Sequence, residues 1–352
     1  MTVSPLYIPV LTGKQGEYAA LRALAPDIRA AVRPILDIPP VAAATDPAAA
    51  IEKIVLGVGR SMGNEGHVAV DLLGLDDRLA GDVHPVECLI ERAVWGGARV
   101  QLVVRTDASL GYRQAVARAR SRAAGICVRA RIQENDDPVA VGAQVSLLLG
   151  QLEVGPPDVH LILDAGRVSD WTRRPAEVLA EHLTAHDSLG DFRLRSAVAT
   201  TVPPNKEIKR DDRPLRVQRR EWRAWQGLAS HEAARVHFGD YGITGPRPDT
   251  PPVGLPDPHL RYTTTRALLI WRGWRSERVT DEDEGDPTSF GDLCRELVDR
   301  DDFAGASFSP GDEVIAAVAA RRRPNDGGSS QWVEWATSHH VTHVVKALQA
   351  GA

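Results

Sequence analysis

Seven segments of the chain read as β-strands that run into a charged or hydroxyl residue. These are Asp37 after VRPIL, Asp71 after HVAV, Arg105 after VQLVV, Arg131 after ICVRA, Asp164 after VHLIL, Thr200 after RSAVA and Asp240 after VHFG. Parallel strands that aim their carboxyl ends at one pocket would bring such side chains together. Asp71, Asp164 and Asp240 are then candidate oxygen ligands of a divalent cation, as in a phosphoryl-handling site. With Asp37 they are also candidates for acid/base work, and Arg105 and Arg131 for gripping phosphate or carboxylate. The same residue types can instead neutralise one another at a barrel mouth if every group is hydrogen-bonded. Residue type and spacing leave both readings open.

The elements that must position these residues alternate. LYIPVL, VRPILDI, HVAVDLL, RVQLVVR, GICVRARI, VHLILDAG, FRLRSAVATT and ARVHFGDYG read as strands, with helical periodicity after each of the first seven. Asp46-Pro47 and Asp137-Pro138 are helix starts, with a capping carboxylate followed by Pro at the first helical position. Eight strand-then-helix units predict an α/β fold, a (β/α)8 TIM-barrel-like domain over 1–352, in preference to a long doubly wound sheet. A dinucleotide loop is not supported, because GVGRSMG near Gly57 falls inside a helix. Neither a triphosphate-binding GxxxxGK[ST] nor a GxSxG nucleophile elbow occurs.

After the eighth strand the proline-rich GPRPDTPPVGLPDP cannot be helical. YTTTRALLIWRGW reads as an extra strand or hairpin, DEDEGDP as an exposed acidic run, and SFGDLCRELVDR as a helix. The closing helix SSQWVEWATSHHVTHVVKAL is taken as the eighth barrel helix, which makes 244–330 a long insertion covering the barrel mouth. His339 and His343 share a face of that helix at the spacing of paired zinc ligands, but no third ligand is identifiable. Hydrogen bonding and acid/base work are the other roles open to these histidines.

With 43% hydrophobic residues in 352, the chain can bury a substantial core. No apolar run reaches the about 20 residues of a membrane helix, and MTVSPLYIPV lacks the pattern of a signal peptide, so a cytoplasmic protein with no membrane partner is expected. Cys88, Cys127 and Cys294 lie far apart in apolar stretches and read as buried thiols. The net charge of −5 argues against a global nucleic-acid footprint. Locally, KEIKRDDRPLRVQRREWR over 206–223 concentrates cations ahead of Trp222 and Trp225. That segment reads either as a nucleic-acid surface or as a solvated connector to a helix with inward tryptophans.

An ordered set of segments carries a resemblance across nearly the whole chain: YIPVLTGKQGEYAALRAL with RPILDIPP, REWRAW, HFGDYGI, RYTTTRALLIWRG, FAGASFSPGDEVI and QWVEWATSHHVTHVV. The chain resembles the beta-protein family, named for a satellite-bacteriophage protein and found in bacterial genomes and prophages. The resemblance implies a role in anti-phage defence, beside a toxic or nuclease-like protein of the same operon. It directs attention to Lys14, Glu17, Asp37, Asp164, Asp240, Tyr241, Arg261, Arg272, Ser309, Asp312, His339 and His340. Among these, Lys14, Tyr241, Arg261 and Arg272 join Arg105 and Arg131 as candidate ligand-binding residues, and His339 and His340 join the aspartates as candidate catalytic ones. Val202, in ATTVPP, departs from an aromatic that related sequences favour.

Two functions follow from these readings. One is a toxin-antitoxin-like component that binds and restrains a toxic partner, or senses a nucleotide or phosphate signal through a polar barrel-mouth pocket. The other is a metal-dependent phosphodiester or nucleotide hydrolase on the same barrel.

Overall fold

The computed structural model describes residues 7–42, 45–63, 67–76, 78–209, 213–229, 236–246, 257–273 and 288–351. The acidic run 281–287, most of the proline-rich stretch and residues 210–212 of the basic segment lie outside them. In chain order the elements are β1 (Tyr7–Leu11), α1 (Gln15–Ala23), α2 (Pro26–Ala30), β2 (Ile35–Asp37), α3 (Pro47–Met62), β3 (Val68–Asp71), α4 (Pro85–Trp95) and β4 (Val100–Arg105). They continue with α5 (Leu110–Ala119), β5 (Ile126–Arg131), α6 (Pro138–Leu152), β6 (Val159–Arg167), α7 (Pro175–Asp187), β7 (Leu194–Thr200), β8 (Leu215–Gln218), α8 (Arg220–Ala229) and β9 (His237–Asp240). The remainder is β10 (His259–Thr263), β11 (Ala267–Arg272), α9 (Phe290–Val298), α10 (Pro310–Ala319) and α11 (Ser329–Gln349).

The chain divides into two compact units. The first, 1–13 with 30–200 and 220–241, contains a closed, all-parallel eight-stranded barrel in the order β1-β2-β3-β4-β5-β6-β7-β9. This is the expected (β/α)8 TIM-barrel-like arrangement, and the eight strands read from the sequence are those of the barrel. Its interior is filled by Ile8, Val10, Ile35, Ala69, Val103, Cys127, Ile162 and Val198, each large aliphatic worth about 1.5–3 kcal/mol when taken out of water. Asp46 and Asp137 cap α3 and α6 by accepting from the amides of Ala48 and Val139, and GVGRSMG forms the last turns of α3 with Gly63 as its cap. Phe238 of β9 packs between Trp222 and Trp225 of α8, at ring distances of 4.8 and 5.8 Å. These tryptophans therefore follow the inward-packing reading.

The second unit joins 14–29, 201–219 and 242–352. Its sheet has the order β10-β11-β8, antiparallel throughout, so YTTTRALLIWRGW does supply a hairpin. The strand β8 instead comes from the basic segment that read as a connector. Helices α1 and α11 pack against each other in this unit, and α11 also contacts α10 and β10. Gly16 permits the α1–α11 approach, since a Cβ there would sit 2.2 Å from the Ser330 carbonyl oxygen. The core is aromatic: Phe290 stacks on Trp332 at 4.9 Å, and Tyr262, Trp271 and Trp335 are buried around it. Val202, where an aromatic was favoured, is buried with Ile208, Ile243 and Leu268. All three cysteines are free and buried. No helix among the described residues is long and apolar enough to cross a membrane.

Candidate functional site

Side-chain alternation decides which strand-end residues meet inside the barrel. Ile35, Ala69, Val103, Cys127 and Ile162 face the interior, so Asp37, Asp71, Arg105, Arg129 and Asp164, each two residues further along its strand, face the interior too. These five side chains form one network. Arg129 donates from Nε to Asp164 Oδ2 at 2.9 Å, and from Nη1 to both Asp37 Oδ2 and Asp71 Oδ2 at 3.0 Å. Its Nη2 donates to the Tyr241 hydroxyl at 2.9 Å. Arg105 donates to Asp71 Oδ2 at 2.6 Å and to Asp37 Oδ1 at 2.8 Å. The Tyr241 hydroxyl lies 2.7 Å from both Asp164 oxygens, Oδ1 of which also accepts from the Gly166 amide at 2.9 Å. The Leu73 amide donates to Asp71 Oδ1 at 3.1 Å.

The electrostatics follow from burial and pairing together. Burial alone would raise the Asp164 carboxyl, but Arg129, the Tyr241 hydroxyl and the Gly166 amide outweigh it and hold the group below the usual carboxylate range. Burial likewise opposes the Arg129 charge, and Asp164, Tyr241, Asp37 and Asp71 more than restore it. Burial and the neighbouring Asp164 charge keep Tyr241 protonated far above its ordinary range. Asp71 and Asp164 are each about 1% exposed, so their charges are viable only because the two arginines neutralise them.

This geometry revises three sequence expectations. Asp240 does not join Asp71 and Asp164: it shares the outer face of β9 with Phe238, and there accepts the Tyr7 hydroxyl at 2.5 Å. Tyr241, the next residue, turns into the interior. Among the described residues no group of three or more His, Cys, Asp or Glu side chains is placed to hold a metal ion. The candidate cation ligands Asp71, Asp164 and Asp240 therefore form no donor set; two of them are taken by guanidinium groups and the third faces the other way. Arg131 stands exposed one layer above the network, while the central cation is Arg129, which sequence reasoning missed. The signal for Arg129 is parity, because Cys127, Arg129 and Arg131 share one face of β5. Tyr112 of α5 was missed as well; its hydroxyl accepts from the Leu72 amide and donates to the Val103 carbonyl.

The remaining candidates belong to the second unit. The backbone amide of the exposed Lys14 donates to Glu17 Oε2 at 3.0 Å. Arg261 is buried, donating to the Ile243 carbonyl and, at 2.5 Å, to Asn205 Oδ1, and its pKa is pushed down to about 10 by desolvation. Arg272 donates to Asp257 Oδ2 at 2.9 Å and to the Ile208 carbonyl at 3.0 Å. His339 has Nδ1 2.8 Å from Asp312 Oδ2, Nε2 2.7 Å from the Thr263 carbonyl oxygen, and its ring stacked on Tyr262 at 3.7 Å. Asp312 also accepts from the hydroxyls of Tyr262 and Ser309, at 2.7 and 2.5 Å. His340 Nδ1 is 2.7 Å from Thr263 Oγ1. These contacts tie α10, α11 and β10 together. In the basic segment, Arg213 and Arg216 pair with Glu296 and Asp302, and Arg220 donates to the Ser169 and Trp171 carbonyls.

A family model described as Beta protein matches residues 7–346, nearly the full length. No curated protein matches the chain.

Proposed function

Because the chain belongs to the Beta protein family, we propose that it serves a bacterial or prophage anti-phage defence module as the component that binds and restrains a toxic or nuclease-like protein encoded beside it. The observation that carries this reading over hydrolysis is the saturation of the barrel-mouth network. Arg129 and Arg105 engage the oxygens of Asp37, Asp71 and Asp164 that a reacting centre would need free. Three carboxylates against two guanidiniums leave one negative charge, and Arg131 lies close enough to Asp164 to help lower its carboxyl. On this reading, Arg131 at the rim is where an anionic group of the partner, or of a phosphate-bearing signal, docks.

The test is survival of cells that express the neighbouring gene product alone, with this chain, or with its Arg131→Gln variant. The proposal expects rescue by the wild type and weaker rescue by the variant at equal amounts of folded protein. Absence of rescue by the wild type would sink the restraining role.

A further inference from the structure

At the opposite end of the barrel, where the strands begin, arginines gather around His67, with Asp158 just ahead of β6 at the same end. Ile35 pairs with Ala69, and Val68 with Val100. Carried back along the strands, this register sets Arg33 beside His67 and His67 beside Arg99. Neighbouring strands lie about 4.8 Å apart, and the alternation that turns Ile35, Ala69 and Val103 inward places all three on the inner face. Arg193, exposed like Arg99, stands just ahead of β7, one position off the inward Leu194 and Ser196.

The four groups sense one another. Burial lowers the Arg33 guanidinium, and the charges of Arg99 and Arg193 lower it further. Burial, then Arg33, Arg99 and Arg193, bring the His67 imidazole down to about 4, which leaves it neutral at pH 7. Among the described residues none of the three guanidinium groups makes a hydrogen bond or an ion pair. Several arginines elsewhere are paired, as in Arg118 with Glu87, Arg120 with Glu153 and Arg195 with Asp187.

The layer above supplies no compensating charge. Cys127 Sγ lies 3.6 Å from Gln101 Oε1 and 3.8 Å from His160 Nδ1, and His160 Nε2 lies 2.9 Å from Ser196 Oγ. Burial, with His237, pushes His160 down to about 3, and burial pushes the Cys127 thiol up to about 12, so both are neutral. Arg33 and Arg99 flank the neutral His67 two strands apart, and with the exposed Arg193 they offer unpaired guanidinium groups to a multiply charged anion.

We propose that this ring, Arg33, Arg99 and Arg193 with His67, binds a phosphate group. A single carboxylate would leave two of the three cations uncompensated, whereas a phosphate offers several oxygens and about two charges to the guanidinium forks. The phosphate can belong to a small molecule or to a nucleic-acid backbone.

Calorimetric titration of the full chain with inorganic pyrophosphate, and with a short single-stranded oligonucleotide, tests the proposal. Wild type is compared with Arg33→Gln, Arg99→Gln and the charge-matched Arg118→Gln on α5. Each ring substitution is expected to weaken pyrophosphate about tenfold, the scale of one charge-assisted hydrogen bond, and Arg118→Gln to leave it unchanged. Without anion, the ring variants should melt at or above the wild-type temperature, because an uncompensated like charge has been removed. An oligonucleotide that binds more tightly and is displaced by pyrophosphate assigns the phosphate to nucleic acid, while pyrophosphate binding alone assigns it to a small molecule. Absence of binding by either probe, or binding that Arg33→Gln and Arg99→Gln leave intact, overturns the proposal.

Discussion

Arg129 is the residue on which the barrel mouth turns. Its guanidinium reaches Asp37, Asp71 and Asp164 together, so removing it strands the nearly fully buried Asp164 and leaves Asp71 to Arg105 alone. Replacing it with methionine fills most of the volume and removes the charge, and should cost about 3–5 kcal/mol at pH 7, the scale of breaking a buried ion pair from one side. The pH dependence of that loss has a definite sign. In the wild type the folded Asp164 carboxyl lies below its unfolded value. Its contribution is therefore complete above about pH 4 and is lost as pH falls through the folded pKa. In Arg129→Met burial acts without its main counterweight and raises the group, so the variant gains from protonation as pH falls. Denaturant unfolding of both proteins at pH 7 and pH 4.5 should show the gap narrowing in acid; a gap that is constant or widens would contradict this account of Arg129.

At the scale of elements, closure of the barrel depends on β9, which joins β7 to β1. Gly239 lies where a Cβ would come within 2.7 Å of both the Ile8 carbonyl oxygen and Val198 Cγ2. Gly239→Ala should therefore destabilise by about 1–3 kcal/mol, the usual cost of overpacking, and a melting temperature equal to that of wild type would refute the point. The elements were legible where the signal was local. Runs such as HVAVD and VHLILD, bounded by turn residues, are parallel-strand sequences, and Asp-Pro pairs mark helix starts. Strand β8 was not legible: LRVQ is short, polar and half-exposed, and its partner β11 lies some fifty residues on. Helix α10 carries a start signal in Ser309 ahead of Pro310.

Across the whole molecule, the barrel could be read from the alternation of strands and helices, but the make-up of its mouth could not. Taking the last residue of each strand selects Asp240 and Arg131; counting parity from the apolar interior replaces Asp240 with Tyr241, and counting one layer beyond Cys127 replaces Arg131 with Arg129. The candidates in the second unit are nonlocal in another way, since the partners of His339 come from α10 and β10, distant in sequence. If restraint of a partner is exerted by the folded surface, as proposed, the mouth carboxylates act by keeping the barrel folded. The most direct measurement is Asp164→Asn, with unfolding free energy and protection of cells from the neighbouring gene product determined side by side. Asparagine keeps the shape and removes the charge that Arg129 and Tyr241 engage. A loss of about 3–5 kcal/mol is expected, with protection falling only as far as the folded fraction does. A variant as stable as wild type that no longer protects would contradict it, and would assign Asp164 to a ligand or a reaction.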